Sequence, residues 1–222
     1  MSGLKDLESL LENGRISRRE FIARVSALGI TATLSPALFK TPALAATPKK
    51  GGRLRMGMGG GSTTDSLEPA TITDAFCQNL NWQLRNSLVE VDYKGNATPE
   101  LAESFESTPD AAQWTFKLRK GIEFHNGKTL DADDVIDSIQ YHRGKDSKSA
   151  AKSLLEAIPE ITADGKNTVI CKLEGGNADC PFVLADDHLT IQPAGTRGAE
   201  FGKGIGTGPY QLVSFEPGVR AF

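Results

Sequence analysis

The sequence has few cysteines, few aromatic residues and no surplus of basic charge. Its 25 Lys+Arg against 28 Asp+Glu give a formal net charge of −3, which argues against a nucleic-acid-binding protein. No apolar run reaches the ~20 residues of a membrane helix without a charge or a proline. What is present, 39% hydrophobic and 24% charged residues, is the composition of a globular protein rather than of a disordered chain.

The first 45 residues contain the three parts of a bacterial export signal in the expected order. The pair Arg18 and Arg19 precedes a moderately apolar stretch over 23–39, and Ala43 and Ala45 then offer the small side chains that a signal peptidase accepts. The arginine pair resembles the twin-arginine motif, so we predict a signal peptide over 1–45, cleavage after Ala45 and a periplasmic protein. The alternative is an ordinary amphipathic helix that continues past the arginines.

After residue 45 the hydrophobic periodicity predicts helices and short strands that alternate along the chain. Such an alternation is typical of the α/β or α+β class. Helices are predicted over 73–88, from an N-cap at Asp131, over 149–157 and over 181–185. Strands are predicted over 53–58, 89–93, 103–106, 113–118, 121–124, 158–163, 168–173, 189–192 and 209–215. Within 113–118, three side chains fall on one face and should enter the core: Trp114, Phe116 and Leu118.

The three cysteines leave two alternatives open. Cys171 and Cys180 are close enough in sequence to pair, which would leave Cys77 free in a helix, or all three are buried thiols. The eight-residue gap between Cys171 and Cys180 does not match the spacing of zinc-binding pairs.

No cofactor loop, metal cluster or catalytic pair is predicted. The glycine-rich stretch at 57–62 and the sequence at 127–129 both depart from nucleotide-binding patterns. The carboxylates at 131, 133 and 134 fit a helix start better than a calcium loop, which needs a glycine and a later glutamate. His125, His142 and His188 are scattered without an acidic partner at ligand spacing, so we expect turn or surface histidines.

Several ordered motifs resemble one family. They are PELAESF at 99–105, WTFKLRKGIEFHNG at 114–127 and LDADDV at 130–135, with GGRL at 51–54 and GTGPYQL at 206–212. Together they resemble the extracellular solute-binding proteins of family 5, the receptors of peptide and nickel ABC importers. The likeness covers nearly all of 50–218.

This resemblance implies an α/β fold of the periplasmic binding protein type II class, with two lobes that close over a solute. Residues 46–222 would form the N-terminal part, the first lobe, with an inserted subdomain at about 88–193. By position in the family, Thr71 and Thr73 in the loop before the first long helix would touch ligand, as would the segment at Ser149. The alternative role for Thr71 or Thr73 is plain N-capping.

The resemblance also implies binding partners, and this sequence differs from the family in one respect. It implies a small peptide ligand, ABC permease subunits in the inner membrane, a monomer, no cofactor and no enzymatic activity. Family members continue into a second lobe after the point that corresponds to Phe222, so a truncated or frameshifted, non-binding fragment is one alternative expectation. An exported enzyme is the alternative from another class.

Overall fold

The computed structural model describes residues 6–7, 9–11, 13, 15–27 and 51–222. The chain divides into two units, Met1–Met56 and Gly57–Phe222. The predicted cleavage site after Ala45 lies outside the described residues. Across the described ranges, no helix is both long and apolar enough to cross a membrane.

In the first unit, helix α1 (Arg18–Ala27) begins at a capping box. The backbone N–H of Ser17 donates to Glu20 Oε2 at 2.8 Å, and the Glu20 N–H donates back to Ser17 Oγ at 3.2 Å. Residues 6, 7 and 9–11 are also helical, but a turn separates them from α1. A single helix continuing past the arginines is therefore wrong, because Ser17 starts a new one.

The largest sheet of the second unit has four antiparallel strands in the order β3–β4–β6–β5. They are β3 (Ala102–Ser107), β4 (Gln113–Leu118), β5 (Glu160–Ala163) and β6 (Thr168–Lys172). Two hairpins add β1 (Val89–Val91) with β2 (Ala97–Pro99), and β7 (Phe215–Glu216) with β8 (Arg220–Ala221). The predicted strands at 89–93, 103–106, 113–118, 158–163 and 168–173 are confirmed.

Three α-helices of the second unit are α2 (Ala75–Leu84), α3 (Ala132–Tyr141) and the short α4 (Cys180–Val183). The predicted N-cap of α3 is confirmed, since Asp131 and Asp134 form a capping box. Short 3₁₀ turns cover Pro69–Thr71, Ser153–Leu155 and Gly198–Lys203. The helix predicted over 149–157 is thus reduced to one 3₁₀ turn.

The core lies between the four-stranded sheet and α3. The predicted inward face of β4 is confirmed: Trp114 is 8% exposed, Phe116 0% and Leu118 2%. Trp114 also donates from Nε1 to the Asn177 carbonyl at 3.0 Å, which satisfies its one polar atom. Val135 and Ile139 of α3 complete this core.

Three predicted strands are wrong. Within the described residues no strand covers 53–58 or 189–192, and of the predicted strand over 209–215 only Phe215 is in a strand, the first residue of β7. Residues 189–192 are buried, but the amides of two of them bond to separate partners rather than to a neighbouring strand: Ile191 N–H donates to Asn86 O and Gln192 N–H to Ser138 Oγ. The strand predicted over 121–124 is reduced to one bridge, Glu123 to Thr129.

All three cysteines are buried free thiols. Cys77 lies in α2 as expected, Cys171 lies in β6, and Cys180 is the first residue of α4. The bridge between Cys171 and Cys180 is therefore wrong for this structure, and the alternative of buried thiols is confirmed.

Candidate functional site

The loop at 70–73 joins the first 3₁₀ turn to α2. Ala70 and Ile72 are each 4% exposed, whereas Thr71 and Thr73 are exposed to solvent. This alternation anchors the backbone by two apolar side chains and leaves two hydroxyls on the outside. The Thr71 hydroxyl donates only a long hydrogen bond, 3.4 Å, to the Glu68 carbonyl.

Neither threonine caps α2, so that alternative is wrong. The N-cap is Asp74, whose Oδ1 accepts from Phe76 N–H at 2.9 Å and from Cys77 N–H at 3.0 Å. A carboxylate satisfies two of the unpaired first-turn amides and also carries the charge that the helix dipole favours there. The hydroxyls of Thr71 and Thr73 are left available for a solute.

The segment at Ser149 lies against this loop, as the two predictions require. The Ala150 N–H donates to the Ala70 carbonyl at 3.1 Å. Ser149 itself is only 7% exposed, because its hydroxyl lies 2.6 Å from His142 Nδ1 and accepts from Ala151 N–H at 3.1 Å. The structure brings the two segments together but turns the Ser149 side chain into the protein. Ligand contact by Thr71, Thr73 and Ser149 stays a prediction.

The turn at 186–188 also contacts the loop at 70–73. His188 Nε2 lies 2.9 Å from the Ile72 carbonyl, and Nδ1 lies 2.7 Å from Asp186 Oδ1 and 3.3 Å from Asp187 Oδ1. The hydrogen bond with Asp186 outweighs burial and raises the pKa of His188 to about 9. The prediction of a histidine without an acidic partner is therefore wrong.

Helix α2 holds this turn through its polar face. The Gln78 side chain donates to Asp187 Oδ2 at 2.6 Å. The Asn81 side-chain amide donates to the Asp187 carbonyl at 2.9 Å and to the Thr190 hydroxyl at 3.2 Å. Asn81 Oδ1 accepts from Arg85 Nη1 at 2.7 Å, so one fully buried amide serves both sides of the site.

His142 is 1% exposed, which contradicts its expected place at the surface. Burial lowers its pKa to about 4, and His188 nearby adds to that effect, so the ring is neutral at pH 7. Its Nδ1 contacts Ser149, but its Nε2 has no hydrogen-bond partner among the described residues.

Arg85, which the sequence interpretation missed, is 1% exposed and is the C-cap residue of α2. Besides Asn81, its guanidinium donates to the backbone carbonyls of Leu67 at 2.9 Å, Phe201 at 3.1 Å and Ile205 at 3.4 Å. Burial lowers its pKa to about 10, so it remains a cation at pH 7. One side chain thus ties three distant segments to the helix that carries the site.

The segment at 206–208 passes over the C-terminal end of α2. A Cβ on Gly206 or Gly208 would overlap the backbone oxygens of Leu84 and Gln83, respectively. Close approach lets the Gly208 N–H donate to Leu84 O at 2.9 Å. His125 Nε2 lies 2.8 Å from the Gly208 carbonyl, and its Nδ1 accepts from Gly206 N–H at 3.4 Å. His125 is therefore a half-buried structural residue.

A second small cluster lies at the start of α2, where Asp65, Asp74 and Cys77 have donor atoms within 4.8 Å of one another. Burial, with the Asp74 hydrogen bond, raises the pKa of the Cys77 thiol to about 12. A thiol that stays protonated at neutral pH is a poor nucleophile. The cluster therefore offers polar groups but no activated cysteine.

A surface depression of about 590 Å³ lies elsewhere, at the turn between β3 and β4. It is shallow, and polar side chains that line it already have partners: the Thr108 hydroxyl donates to Asp110 Oδ1 at 2.6 Å, and Lys172 pairs with Glu160 outside the depression. A wide depression with satisfied groups is a weaker candidate for solute binding than the exposed hydroxyls of the 70–73 loop.

Comparisons with known proteins place the chain in a single protein family. Residues 96–221 match the model described as bacterial extracellular solute-binding proteins, family 5 Middle. The chain is 30% identical over 184 residues to the oligopeptide-binding protein AppA of Bacillus subtilis (strain 168), covering 78% of this chain and 34% of that protein.

Two solved structures show the same fold. AppA of Bacillus subtilis in complex with a nonapeptide gives a TM-score of 0.60 at 25% identity, covering 68% of this chain and 32% of that chain. The binding protein MoaA in complex with mannopinic acid, from A. tumefaciens R10, gives 0.65 at 27% identity, covering 72% and 34%. These matches confirm the predicted α/β fold of periplasmic binding proteins. The chain spans about a third of the length of these relatives.

Proposed function

Since the chain belongs to the bacterial extracellular solute-binding proteins of family 5, we propose that it supplies part of the peptide-binding component of an ABC importer. The observation that carries the proposal is the family match over 96–221. In this role the protein binds di- to oligopeptides outside the inner membrane and delivers them to the permease subunits. It acts as a monomer and catalyses no reaction.

Peptide is the solute we favour because of the relatives' own ligands and the chemistry of the loop. The similar AppA is described as oligopeptide-binding and was solved with a nonapeptide. The exposed hydroxyls of Thr71 and Thr73 can each donate and accept a hydrogen bond. Groups of that kind suit a peptide backbone, which offers N–H and C=O groups in alternation. We propose these two residues, with the segment at Ser149, as the solute contacts.

The proposal also covers export and domain organisation. Residues 1–45 act as a twin-arginine signal with Arg18 and Arg19 at its centre, and the protein acts in the periplasm. Residues 46–222 form the N-terminal part of the binding domain. We propose an inserted subdomain at about 88–193, which the shared core of the four-stranded sheet and α3 supports.

The chain by itself should bind peptide weakly. It spans about a third of the length of its relatives, so it supplies only part of the walls that enclose their solute. A peptide lying on one open wall stays largely solvated, and its hydrogen bonds to the protein compete with water. We expect dissociation constants of roughly a millimolar, equivalent to about −4 kcal/mol.

Binding at that strength can be mapped by NMR. We would titrate the ¹⁵N-labelled 222-residue chain with defined di- to pentapeptides and follow the backbone amides. The expected result is saturable shifts at 71–74 and 150–151, weakened in a variant that carries both Thr71→Val and Thr73→Val. A sugar and mannopinic acid serve as competing solutes.

Three outcomes would contradict the proposal. They are no saturable shift with any peptide, shifts confined to the depression at 108–113, and stronger saturation by mannopinic acid than by peptides. The last outcome would indicate that the solute is not a peptide but a compound like the mannopinic acid in the MoaA structure.

A further inference from the structure

We propose that His188 is a positioning residue for the loop at 70–73 and makes the placement of that loop depend on pH. This role rests on the proposed function, because the loop carries the two threonine hydroxyls assigned there to the solute. The ring reaches the loop directly, since its Nε2 lies 2.9 Å from the Ile72 carbonyl oxygen. The His188 side chain is 14% exposed, so water competes little for this contact.

Two carbonyls of the loop are held by groups outside it. The Ala70 carbonyl accepts from Ala150 N–H at 3.1 Å. The Ile72 carbonyl is held by the His188 ring. Both carbonyls flank Thr71, whose side chain is exposed, whereas the side chains of Ala70 and Ile72 are buried. A backbone fixed on both sides of Thr71 holds that hydroxyl in place before a solute arrives, which lowers the entropy cost of binding.

The turn that carries His188 is itself fixed. Asp186 Oδ1 accepts from the backbone N–H of His188 at 3.0 Å and lies 2.7 Å from the ring Nδ1. Asp187 is tied to α2 twice: Gln78 donates to its Oδ2 at 2.6 Å, and the Asn81 amide donates to its carbonyl at 2.9 Å. Because these hydrogen bonds fix both the turn and the ring, Nε2 is held facing the loop.

The number of protons on the ring decides whether its contact with the loop is a hydrogen bond. In the imidazolium form both ring nitrogens carry a proton, so Nδ1 donates to Asp186 and Nε2 donates to the Ile72 carbonyl. A neutral ring keeps one proton, and the carboxylates of Asp186 and Asp187 hold it on Nδ1, since hydrogen bonds to charged acceptors are stronger. The lone pair of Nε2 then faces the lone pairs of the Ile72 oxygen, and the loop loses its hydrogen bond.

The groups around the ring set the pH of this change. The hydrogen bond with Asp186 raises the pKa of His188 to about 9; burial opposes it, and the Ile72 carbonyl and the charge of Asp187 add to it. The ring is therefore an imidazolium at neutral pH. Its stabilisation of the fold is complete below the ordinary histidine pKa of 6.5 and is lost as the pH rises through about 9.

Two other elements act on the turn. His142, the C-cap residue of α3, interacts electrostatically with His188 and Asp186. Burial lowers the pKa of His142 to about 4, so it is neutral at pH 7 and above. Helix α2 contributes the amides of Gln78 and Asn81, which do not titrate. The change near pH 9 is therefore a property of His188 and its two neighbouring carboxylates.

The test is an NMR pH titration of the full 222-residue chain without peptide. Long-range ¹H–¹⁵N spectra report the protonation of each ring nitrogen of His188, and the carbonyl ¹³C shift of Ile72 reports the contact with the loop. We expect both to change together with a midpoint of about pH 9. Asp187→Asn should lower this midpoint by roughly one unit, because it removes one of two attracting charges. Asp133→Asn is the matched control with an unchanged midpoint, because Asp133 is an exposed carboxylate in the first turn of α3.

Two replacements of the ring separate the hydrogen bond from the size of the side chain. His188→Gln places a neutral amide donor near the position of Nε2, so the contact with Ile72 should persist and lose its pH dependence. His188→Phe keeps a ring without a donor, so the Ile72 carbonyl shift should match the high-pH state at every pH. Peptide titrations at pH 7 should show roughly fivefold weaker binding for His188→Phe than for His188→Gln, as expected for one lost hydrogen bond.

The proposal is supported if the ring and the Ile72 carbonyl titrate together and the midpoint moves in Asp187→Asn but not in Asp133→Asn. It is overturned if the Ile72 shift does not follow the ring, or if His188→Gln keeps the transition. Should a His188 variant fail to fold by circular dichroism, the Asp187→Asn midpoint decides, because that variant keeps the ring. A coupled titration without peptide binding at any pH would support the positioning of the loop and contradict the proposed function instead.

Discussion

The guanidinium of Arg85 donates a hydrogen bond to the backbone carbonyl of Phe201, 116 residues later in the chain, at 3.1 Å. The same side chain reaches back to Leu67 O. A single buried cation therefore joins the segment before α2 to the segment after the four-stranded sheet.

Replacing Arg85 should strongly destabilise the protein. Arg85→Met takes the guanidinium donor from the buried Leu67 carbonyl, at a cost of about 1–3 kcal/mol. It also removes one of two donors to the Phe201 carbonyl, which keeps Gly204 N–H, and one of two donors to Asn81 Oδ1, which keeps the Thr190 hydroxyl. We expect a loss of about 3 kcal/mol or more in the free energy of unfolding, measured in urea. Arg85→Lys should lose less, since an ammonium still offers three donors. Equal losses in both variants would show that the hydrogen bonds do not carry the effect.

The two tryptophans should behave differently. Trp114 is 8% exposed in the core and Trp82 is 50% exposed on α2. Trp114→Ala should cost about 3–5 kcal/mol, because removing a buried ring leaves a cavity. Trp82→Ala should cost under about 1 kcal/mol, as exposed positions usually do. Thermal melts of both variants check this, and an unchanged melting temperature for Trp114→Ala would mean that β4 is misplaced.

Gly206 should not tolerate a methyl group. Its Cβ would overlap the Leu84 carbonyl oxygen, a backbone atom that cannot rotate away. Gly206→Ala should therefore cost about 1–3 kcal/mol or more. Gly202→Ala is the matched control, because no atom lies within 4 Å of its Cβ position. The expected difference appears in urea midpoints, and equal midpoints would argue against the close crossing.

All three cysteine thiols should react with a thiol reagent in the unfolded protein, but only slowly in the folded protein. Burial raises the pKa of Cys77 and of Cys180 to about 12, and raises that of Cys171 as well, so little reactive thiolate exists at pH 8. Three thiols per chain should react with Ellman's reagent in denaturant without reductant. One reactive thiol, in protein recovered from the periplasm, would instead show a bridge between Cys171 and Cys180.

Export should depend on the paired arginines. Replacing Arg18 and Arg19 together by lysine keeps both charges but should abolish export if the signal is of the twin-arginine type. Cell fractionation with an antibody against the mature chain measures this. The same substitution at Arg24, later in α1, is the control and should have no effect. Undiminished export of the double variant would contradict the signal assignment.

The sequence predicted correctly those helices and strands that depend on residues close together in the chain. Strand β4 has the predicted bounds because its alternating aromatic and polar residues match one buried and one open face. The start of α3 was predicted because Asp131 and Asp134 satisfy each other within one turn.

The wrong predictions share a physical cause. Residues 189–192 alternate apolar and polar side chains as a strand would, yet the amides of Ile191 and Gln192 bond to Asn86 and Ser138, which no periodicity connects to them. Arg85 was missed because its partners are backbone carbonyls, which leave no mark in the sequence. For His188 the indication was present, because Asp186 and Asp187 directly precede it, but ligand spacing alone does not show that a turn folds both carboxylates onto the ring.

The side-chain amide of Asn81 has a donor end bonded to the 187–190 segment and an acceptor end bonded to Arg85. Because the two ends are chemically opposite, the amide fits in only one orientation, and α2 can take only one rotational setting about its axis. This fixed rotation of α2 about its axis sets the direction of its N-terminus. It thereby also sets the direction of the preceding loop that carries the hydroxyls of Thr71 and Thr73.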